Sequence, residues 1–392
     1  MQHRPATPLE PSQPPSQSTP PPANPSHLRL ARLADAFLQI QALWATAALA
    51  LVYISLVLGL GPAVRWVGLA LACVPFPIRV ARSGIASLRT PFDIPVALLL
   101  VGAVVGYCTS DNRSISLGPL QCIVGVTLFY YSWVNSPGLA RVIKWAVISI
   151  ALVFLPIFLL VILDVSFADG HLSLAIRGSG THHGLAMYLV IEAAILFGVA
   201  AFDKDSKIRP LALILSVFFL AVVLVMTWAS LQSLLAGDTF EGRWPIWKTT
   251  ADLLSDSPLT GLGLGCWAFE RWGTTALGTE EIAGITHTHN AYLELYSDTG
   301  ILGALALMAA LVIGVRLSVD IIRSPRTHPW YGFGIGLILA CMTVLCVGIV
   351  ESAPMGVPLV GTDTYYYVVS PIAWFLCGLL AMAHRHIAKT TG

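Results

Sequence analysis

The chain has 392 residues, of which 56% are hydrophobic and only 11% are charged, and its mean hydropathy is +0.76. Soluble domains carry about a quarter charged residues, so this composition excludes a soluble globular protein and predicts a polytopic membrane protein. The 22 Lys and Arg residues nearly balance the 21 Asp and Glu residues, so the formal net charge is +1. The basic residues are spread over separate segments. Such a distribution excludes a nucleic-acid-binding patch.

The N-terminal segment 1–27 is rich in Pro, Ser and Gln, and such a composition buries too little apolar surface to fold. We predict a disordered cytoplasmic tail over 1–27 and a membrane domain over 28–392. The first apolar run is too long and too far from the N-terminus for a cleaved signal peptide. We therefore expect it to remain as the first membrane helix.

Apolar stretches of about 20 residues, bounded by charged or Gly- and Pro-rich connections, predict the membrane helices. These spans lie near 37–59, 62–80, 94–109, 115–134, 143–164, 184–202, 210–228, 299–317, 331–350 and 367–384. The prediction is an all-α membrane protein with about ten transmembrane helices, or about twelve as the alternative count. The first five spans carry few polar groups, and small residues such as Gly102, Gly106 and Gly125 suit close helix packing.

The basic residues also predict the orientation, because Lys and Arg stay on the cytoplasmic side of a membrane. With the N-terminus inside, the inner segments collect most of the 22 Lys and Arg residues. The outer segments keep only Arg65, Arg113, Arg177, Arg243, Lys248 and Arg271. Both termini are therefore predicted to be cytoplasmic, and the longest connection, 229–290, to form a large periplasmic loop.

A loop of that length is usually functional. Its stretch from Pro245 to Leu254 predicts a short amphipathic helix that begins at the proline and lies on the membrane surface, with Trp247 on its apolar side. Arg243 stands just before this predicted helix. The stretch Gly261–Gly265 lacks the strand that precedes a phosphate-binding loop, so we interpret it as a flexible turn.

The stretch Thr286–Gly303, THTHNAYLELYSDTGILG, places His287 and His289 at the start of another helix. Asn290 is a plausible N-cap of that helix, and Glu294 lies in its first turns, where a carboxylate favours the helix dipole. Two histidines two residues apart splay their side chains, and no third ligand is assured. We therefore predict neither a metal nor a cofactor.

Further polar residues lie at the same outer face. Arg177 and His183 flank a glycine-rich stretch before the span 184–202, where the arginine either binds an anion or snorkels at the interface. Glu192 lies near the middle of that span. An ionisable residue at this depth is either functional or a protonated packing residue.

Arginines and histidines at one membrane face suit the transfer of a sugar from a lipid-linked diphosphate to a hydroxyl. Arginine binds phosphate oxygens through two hydrogen bonds and stabilises the charge of a leaving diphosphate. Histidine takes up a proton near neutral pH and is therefore suited to act as the general base on the hydroxyl.

The pair His289-Asn290, followed by nine residues and then Gly300-Ile301-Leu302-Gly303, resembles the signature of the O-antigen ligase and polymerase family of bacterial membrane glycosyltransferases. The upstream stretches Gly242–Trp247 and Ser257–Gly263 resemble the segment that leads to this histidine. Family members commonly carry a Ser-Arg pair where this chain has Ser230-Leu231-Gln232-Ser233. Arg177 is our substitute for that arginine.

The resemblance implies an inverting, metal-independent transfer of a glycan from an undecaprenyl diphosphate carrier at the periplasmic face of the bacterial inner membrane. The acceptor would be a hydroxyl of a glycolipid, a glycan or a protein. The catalytic residues would be His289, Arg243 and Arg177. The substrate-binding residues would be His287, Asn290, His183, Tyr292 and Trp247, with Gly300 and Gly303 in a structural role.

Two other classes of function stay open at this point. A transporter or flippase for a lipid-linked saccharide would use Glu192 as its coupling site, although we find no internal repeat of the kind that transporters usually show. A catalytically inactive scaffold of a polysaccharide assembly complex would need neither His289 nor Arg243.

Overall fold

The structure, a computed structural model, describes residues 25–136, 143, 147–148, 163–168, 171–176, 183–203, 207–236, 238–267, 288–349, 356–361, 364–369 and 371–391. Most of this part of the chain is helical. The helices are α1 (Pro25–Val57), α2 (Pro62–Cys73), α3 (Pro75–Ser83), α4 (Asp93–Thr109), α5 (Arg113–Val134), α6 (His183–Phe202), α7 (Arg209–Ala236), α8 (Asp238–Asp256), α9 (Ala291–Arg323), α10 (Tyr331–Val347) and α11 (Pro371–Thr391).

Several helices have the length and composition of membrane spans. Within the described residues, four stretches are long and apolar enough to cross a membrane: Arg29–Leu56, Pro62–Ser83, Arg113–Val134 and Ala291–Arg323. Shorter apolar helices cover Asp93–Thr109, Leu189–Phe202, Arg209–Leu224 and Tyr331–Val347. The predicted span 143–164 and the predicted tail fall largely outside the described residues. The other predicted spans overlap helices, although the last one, 367–384, begins in a strand and its helix starts only at Pro371. A helical membrane protein is confirmed, and the count of ten or twelve helices stays a prediction.

Two antiparallel hairpins add strands to this helical framework. Strand β1 (Leu163–Ala168) pairs with β2 (His171–Ile176), and β3 (Gly356–Gly361) pairs with β4 (Thr364–Val369). They lie mainly in connections that the sequence assigns to the outer face. The all-α prediction therefore holds for the membrane helices but omits these hairpins. Alternation of apolar and polar residues in β1 is the signal that indicates a strand there.

Small residues let α4 pack directly on the N-terminal part of α9. A Cβ atom added at Gly106 would lie 2.2 Å from the backbone oxygen of Asp298, and one at Gly102 would lie 3.1 Å from that of Thr299. At Gly303, to which the sequence analysis assigned a structural role, a Cβ atom would meet Thr299 Oγ1 of the same helix at 1.7 Å. The close approach of these two helices thus depends on the glycines of α4.

Helix α9 is interrupted at Gly300, whose φ of 61° and ψ of −154° are not helical. In a continuous helix the Ile301 amide would donate to the Ser297 carbonyl. Here the Ile301 amide donates to Leu259 O at 3.1 Å, and Ser297 O accepts the Leu262 amide at 2.7 Å. The connection after α8 therefore inserts into the break and replaces the missing helical bond from both sides.

That inserted connection contains the glycine-rich stretch, which the structure shows to be packed. Gly261, Gly263 and Gly265 all have positive φ, at 73°, 99° and 66°. A Cβ atom at Gly261 would lie 2.4 Å from Ser297 O, and Leu264 is fully buried. The prediction of a flexible turn is wrong because the stretch is packed: Gly261 lies against the backbone of α9, Gly263 against the end of α4 and Gly265 against α5.

Candidate active site

His289 stands immediately before α9 and has an unusual backbone conformation. Its φ of 51° is the only positive value for a non-glycine residue in the described part of the chain. A residue other than glycine in the left-handed region costs about 1–3 kcal/mol and persists only where its surroundings hold it. The segments on both sides of His289 must therefore be firmly fixed.

Asn290 fixes the helical side. Its side-chain oxygen accepts hydrogen bonds from the amides of Tyr292 and Leu293, each at 3.0 Å, which confirms the predicted N-cap. The Thr288 hydroxyl donates to Asn290 O at 2.8 Å, and its oxygen accepts the Asn290 amide at 3.2 Å. The two neighbours of His289 are thus bound to each other across it.

The start of α9 is also attached to the C-terminal end of α10. The Asn290 side-chain amide donates to Ile349 O at 2.9 Å, and the Tyr292 hydroxyl donates to Leu345 O at 2.5 Å. We predicted from the sequence that Asn290 and Tyr292 bind substrate. Their polar groups make these contacts within the protein, and the contacts support a role in holding the site.

Two buried carboxylates follow on α9. Glu294 is 1% exposed and its Oε2 accepts the Thr288 amide at 2.8 Å. Asp298 is 4% exposed and its Oδ1 accepts the Gly265 amide at 2.9 Å. The sequence analysis assigned Glu294 only a helix-dipole effect and did not consider Asp298. The sequence pattern that could have identified these carboxylates is a pair of acids one turn apart at the start of an apolar helix.

Helix α8 carries Arg243 and differs from the prediction. It begins at Asp238, so Pro245 lies inside the helix and Arg243 lies on it. The predicted start at Pro245 was wrong: proline favours the first turn of a helix, but Pro245 lies inside α8, where it removes one i→i−4 hydrogen bond. The indole Nε1 of Trp247 donates to Thr288 O at 3.2 Å. Arg243 lies one turn before Trp247, on the face of α8 that reaches the neighbour of His289.

A second contact fixes α8 to the connection that follows it. The Trp267 ring is 1% exposed, packs against Ile246 and donates its Nε1 hydrogen to Thr250 Oγ1 at 2.9 Å. By contrast, Trp244 is 65% exposed, which agrees with the predicted position of this helix at an interface. The helix is thus anchored on one side and exposed on the other.

The structure describes less of the remaining predicted site residues. Arg177 follows the end of β2, and both it and His287 lie outside the described residues. His183 is the first residue of α6, and its side chain is not described. Within the described chain, no three His, Cys, Asp or Glu side chains come together as metal ligands.

An apolar cavity of about 290 Å³ extends along α9 from this site. Its lining begins at Ala291 and Leu295 and continues to Val315 and Val319, with α10 and α11 on the other sides. The first of these residues is the second after His289. Apolar space suited to a lipid chain therefore begins at the first residue of α9, two residues after the histidine.

Residues 171–308 match a family model described as O-antigen ligase. This part of the chain is similar to O-antigen ligase domains. The resemblance based on the histidine signature and the arginine segment is therefore confirmed at the level of the family. No curated protein matches the chain closely enough to add a relative to this comparison.

The O-antigen ligase match runs from the first residue of β2 into α9. It includes every residue that the sequence analysis placed in the site: Arg177, His183, Arg243, Trp247, His287, His289, Asn290, Tyr292, Gly300 and Gly303. The match points to a glycosyltransferase-type enzyme of polysaccharide biosynthesis in a bacterial membrane, a class whose partners are a lipid-linked glycan and an acceptor.

Proposed function

We propose that the protein transfers a glycan from an undecaprenyl diphosphate carrier to a hydroxyl acceptor at the periplasmic face of the inner membrane. The observation that supports this proposal is the position of His289 just before the apolar helix α9, inside the O-antigen ligase match. A carrier held in the bilayer would present its diphosphate at that level.

In the proposed reaction, the acceptor hydroxyl oxygen attacks the anomeric carbon of the donor. The bond from that carbon to the diphosphate oxygen breaks, and its electron pair leaves with the diphosphate. His289 takes the hydroxyl proton, and attack from the face opposite the leaving group inverts the anomeric configuration. A diphosphate is a good leaving group, so the scheme requires no metal and no strong general acid.

Arg243 is the proposed clamp for the leaving diphosphate, together with Arg177. Support for Arg243 comes from its place on α8, one turn before the tryptophan that contacts Thr288. A guanidinium group there would stabilise charge that develops on the diphosphate oxygens in a site of low dielectric. The apolar cavity along α9 would accept part of the carrier's hydrocarbon chain.

The proposed function has three versions, which differ in the molecule that accepts the glycan. Transfer to a lipid core is ligation, transfer to another carrier-linked repeat is polymerisation, and transfer to a protein hydroxyl is protein glycosylation. All three use the same base and the same clamp. Assays with each acceptor class in turn distinguish them.

The central test uses purified full-length protein, a carrier-linked oligosaccharide and each candidate acceptor, with and without a chelator. We expect His289→Ala to lower transfer by about 10²–10⁴-fold, which is the range for loss of a general base. The matched control is His328→Ala, in the connection between α9 and α10 at the opposite end of these helices. Normal transfer by His289→Ala would refute the proposal, and loss of activity in chelator would refute its metal-free form.

A further inference from the structure

Glu294 is a carboxylate almost completely removed from solvent at the mouth of an apolar helix. Only 1% of the residue is exposed. Burial of a carboxylate is costly unless hydrogen bonds compensate for the lost water. The burial of the Glu294 carboxylate therefore has to be explained by its hydrogen bonds.

The reason lies in the backbone bond that Glu294 accepts. In the usual capping box, an acid at the third helical position accepts the amide of the N-cap residue. Here the N-cap residue is Asn290, and its amide is already bound by the Thr288 hydroxyl oxygen at 3.2 Å. Glu294 is the fourth helical residue, and its Oε2 reaches back to the Thr288 amide at 2.8 Å. It therefore binds the residue just before His289.

Thr288 is consequently held through each of its polar groups. Glu294 binds its amide, Trp247 binds its carbonyl oxygen, and its hydroxyl group bonds to the backbone of Asn290. His289 is thus enclosed between a fixed residue and a helix cap. This arrangement supplies the constraint that the left-handed φ of 51° requires.

We propose that Glu294 is a positioning residue: as a hydrogen-bond acceptor for the Thr288 amide, it fixes the backbone that aims the His289 side chain. The inference rests on the proposed role of His289 as the base. With 1% of its surface exposed, Glu294 acts through the histidine and not by contact with the substrate.

The test compares two variants of the full-length protein in the glycan-transfer assay. Glu294→Ala removes the acceptor, and we expect kcat to fall by about 10²-fold with little change in the donor KM, because an error of about 1 Å in a reacting group has that effect. Glu294→Gln keeps an oxygen that can accept the same amide, and we expect it to restore most of kcat. Wild-type kcat in Glu294→Ala, or an equal defect in both variants, would overturn the proposal.

A second measurement does not depend on enzyme activity. Hydrogen–deuterium exchange of a peptide that begins at or before residue 286 and ends at residue 293 reports on the Thr288 amide, because only the first two residues of a peptide lose their label. We expect protection in the wild type and in Glu294→Gln, and faster exchange in Glu294→Ala. Equal protection in Glu294→Ala would overturn the positioning role. If the wild-type protein transfers no glycan, the proposed function fails and the exchange data still decide whether Glu294 holds this backbone.

Asp252→Ala is the matched control for both measurements, because Asp252 is an exposed acid on α8. We expect it to keep the wild-type kcat and the wild-type exchange. Detergent-solubilised variants that elute as single species alongside the wild type establish that the comparison concerns folded protein. A defect in Asp252→Ala equal to that of Glu294→Ala would count against a specific role for Glu294.

Discussion

Replacing Gly300 with alanine tests the link between the break in α9 and the stability of the site. The added Cβ atom would lie 2.2 Å from Leu259 O and 2.6 Å from the carbonyl carbon of Thr260. Both are backbone atoms, so no side-chain rotation relieves the overlap. The connection after α8 must move away from α9.

The magnitude follows from what that movement breaks. The bonds from Ile301 N to Leu259 O and from Leu262 N to Ser297 O contribute about 1 kcal/mol each. The backbone of Gly300, with φ of 61° and ψ of −154°, lies in a region that is nearly restricted to glycine, and strain of this kind costs about 1–3 kcal/mol. The expected loss is therefore about 3–5 kcal/mol.

Thermal unfolding in detergent, followed by glycan transfer at a permissive temperature, measures this loss. The matched control is Gly314→Ala on the same helix, because a Cβ atom added there meets no atom within 4 Å. We expect Gly300→Ala to lower the unfolding midpoint by several degrees and to reduce transfer, and Gly314→Ala to leave the unfolding midpoint unchanged. Equal midpoints for the two variants would refute the argument that the inserted connection stabilises α9.

Two further predictions concern charged side chains. Arg243→Lys keeps the charge but loses the planar pair of hydrogen-bond donors, so we expect kcat/KM to fall by about 10–100-fold. Lys248→Ala, on an exposed part of the same helix, should leave kcat/KM unchanged. Glu192 Oε1 is buried and has no hydrogen-bond partner within the described chain. We expect Glu192→Gln to keep wild-type glycan transfer. If proteoliposomes with the wild-type protein showed proton-coupled uptake and Glu192→Gln abolished it, the result would favour the transporter alternative.

The sequence predicted the parts of the site that follow local rules. Asn290 is an N-cap because its short side chain reaches the first free amides of a helix, and that preference depends on only a few neighbouring residues. The histidine just before it was placed by the same rule. The apolar runs similarly identified the membrane helices, because their length is set by the thickness of the bilayer.

Features that depend on distant contacts were missed. Glycines at Gly261 and Gly265 indicate freedom of the backbone, but the sequence does not show that Ser297 and Asp298 lie against them. Pro245 is compatible with both the start and the interior of a helix, and the contacts of Trp247 and Trp267 decide between these possibilities in the folded chain. The carboxylate of Glu294 meets the Thr288 amide only in the folded chain, so the sequence pattern does not reveal this contact.

The break at Gly300 also separates two mechanical parts of α9. The Ile301 amide, which begins the C-terminal part, donates to Leu259 O, and Ser297 O, at the end of the N-terminal part, accepts the Leu262 amide. The N-terminal part is therefore aligned by the connection after α8 and not by the rest of the helix. We expect tilting of the C-terminal part in a thicker or thinner bilayer to be absorbed at this break, so that exposed residues such as Leu305 and Val312 can vary without moving the histidine.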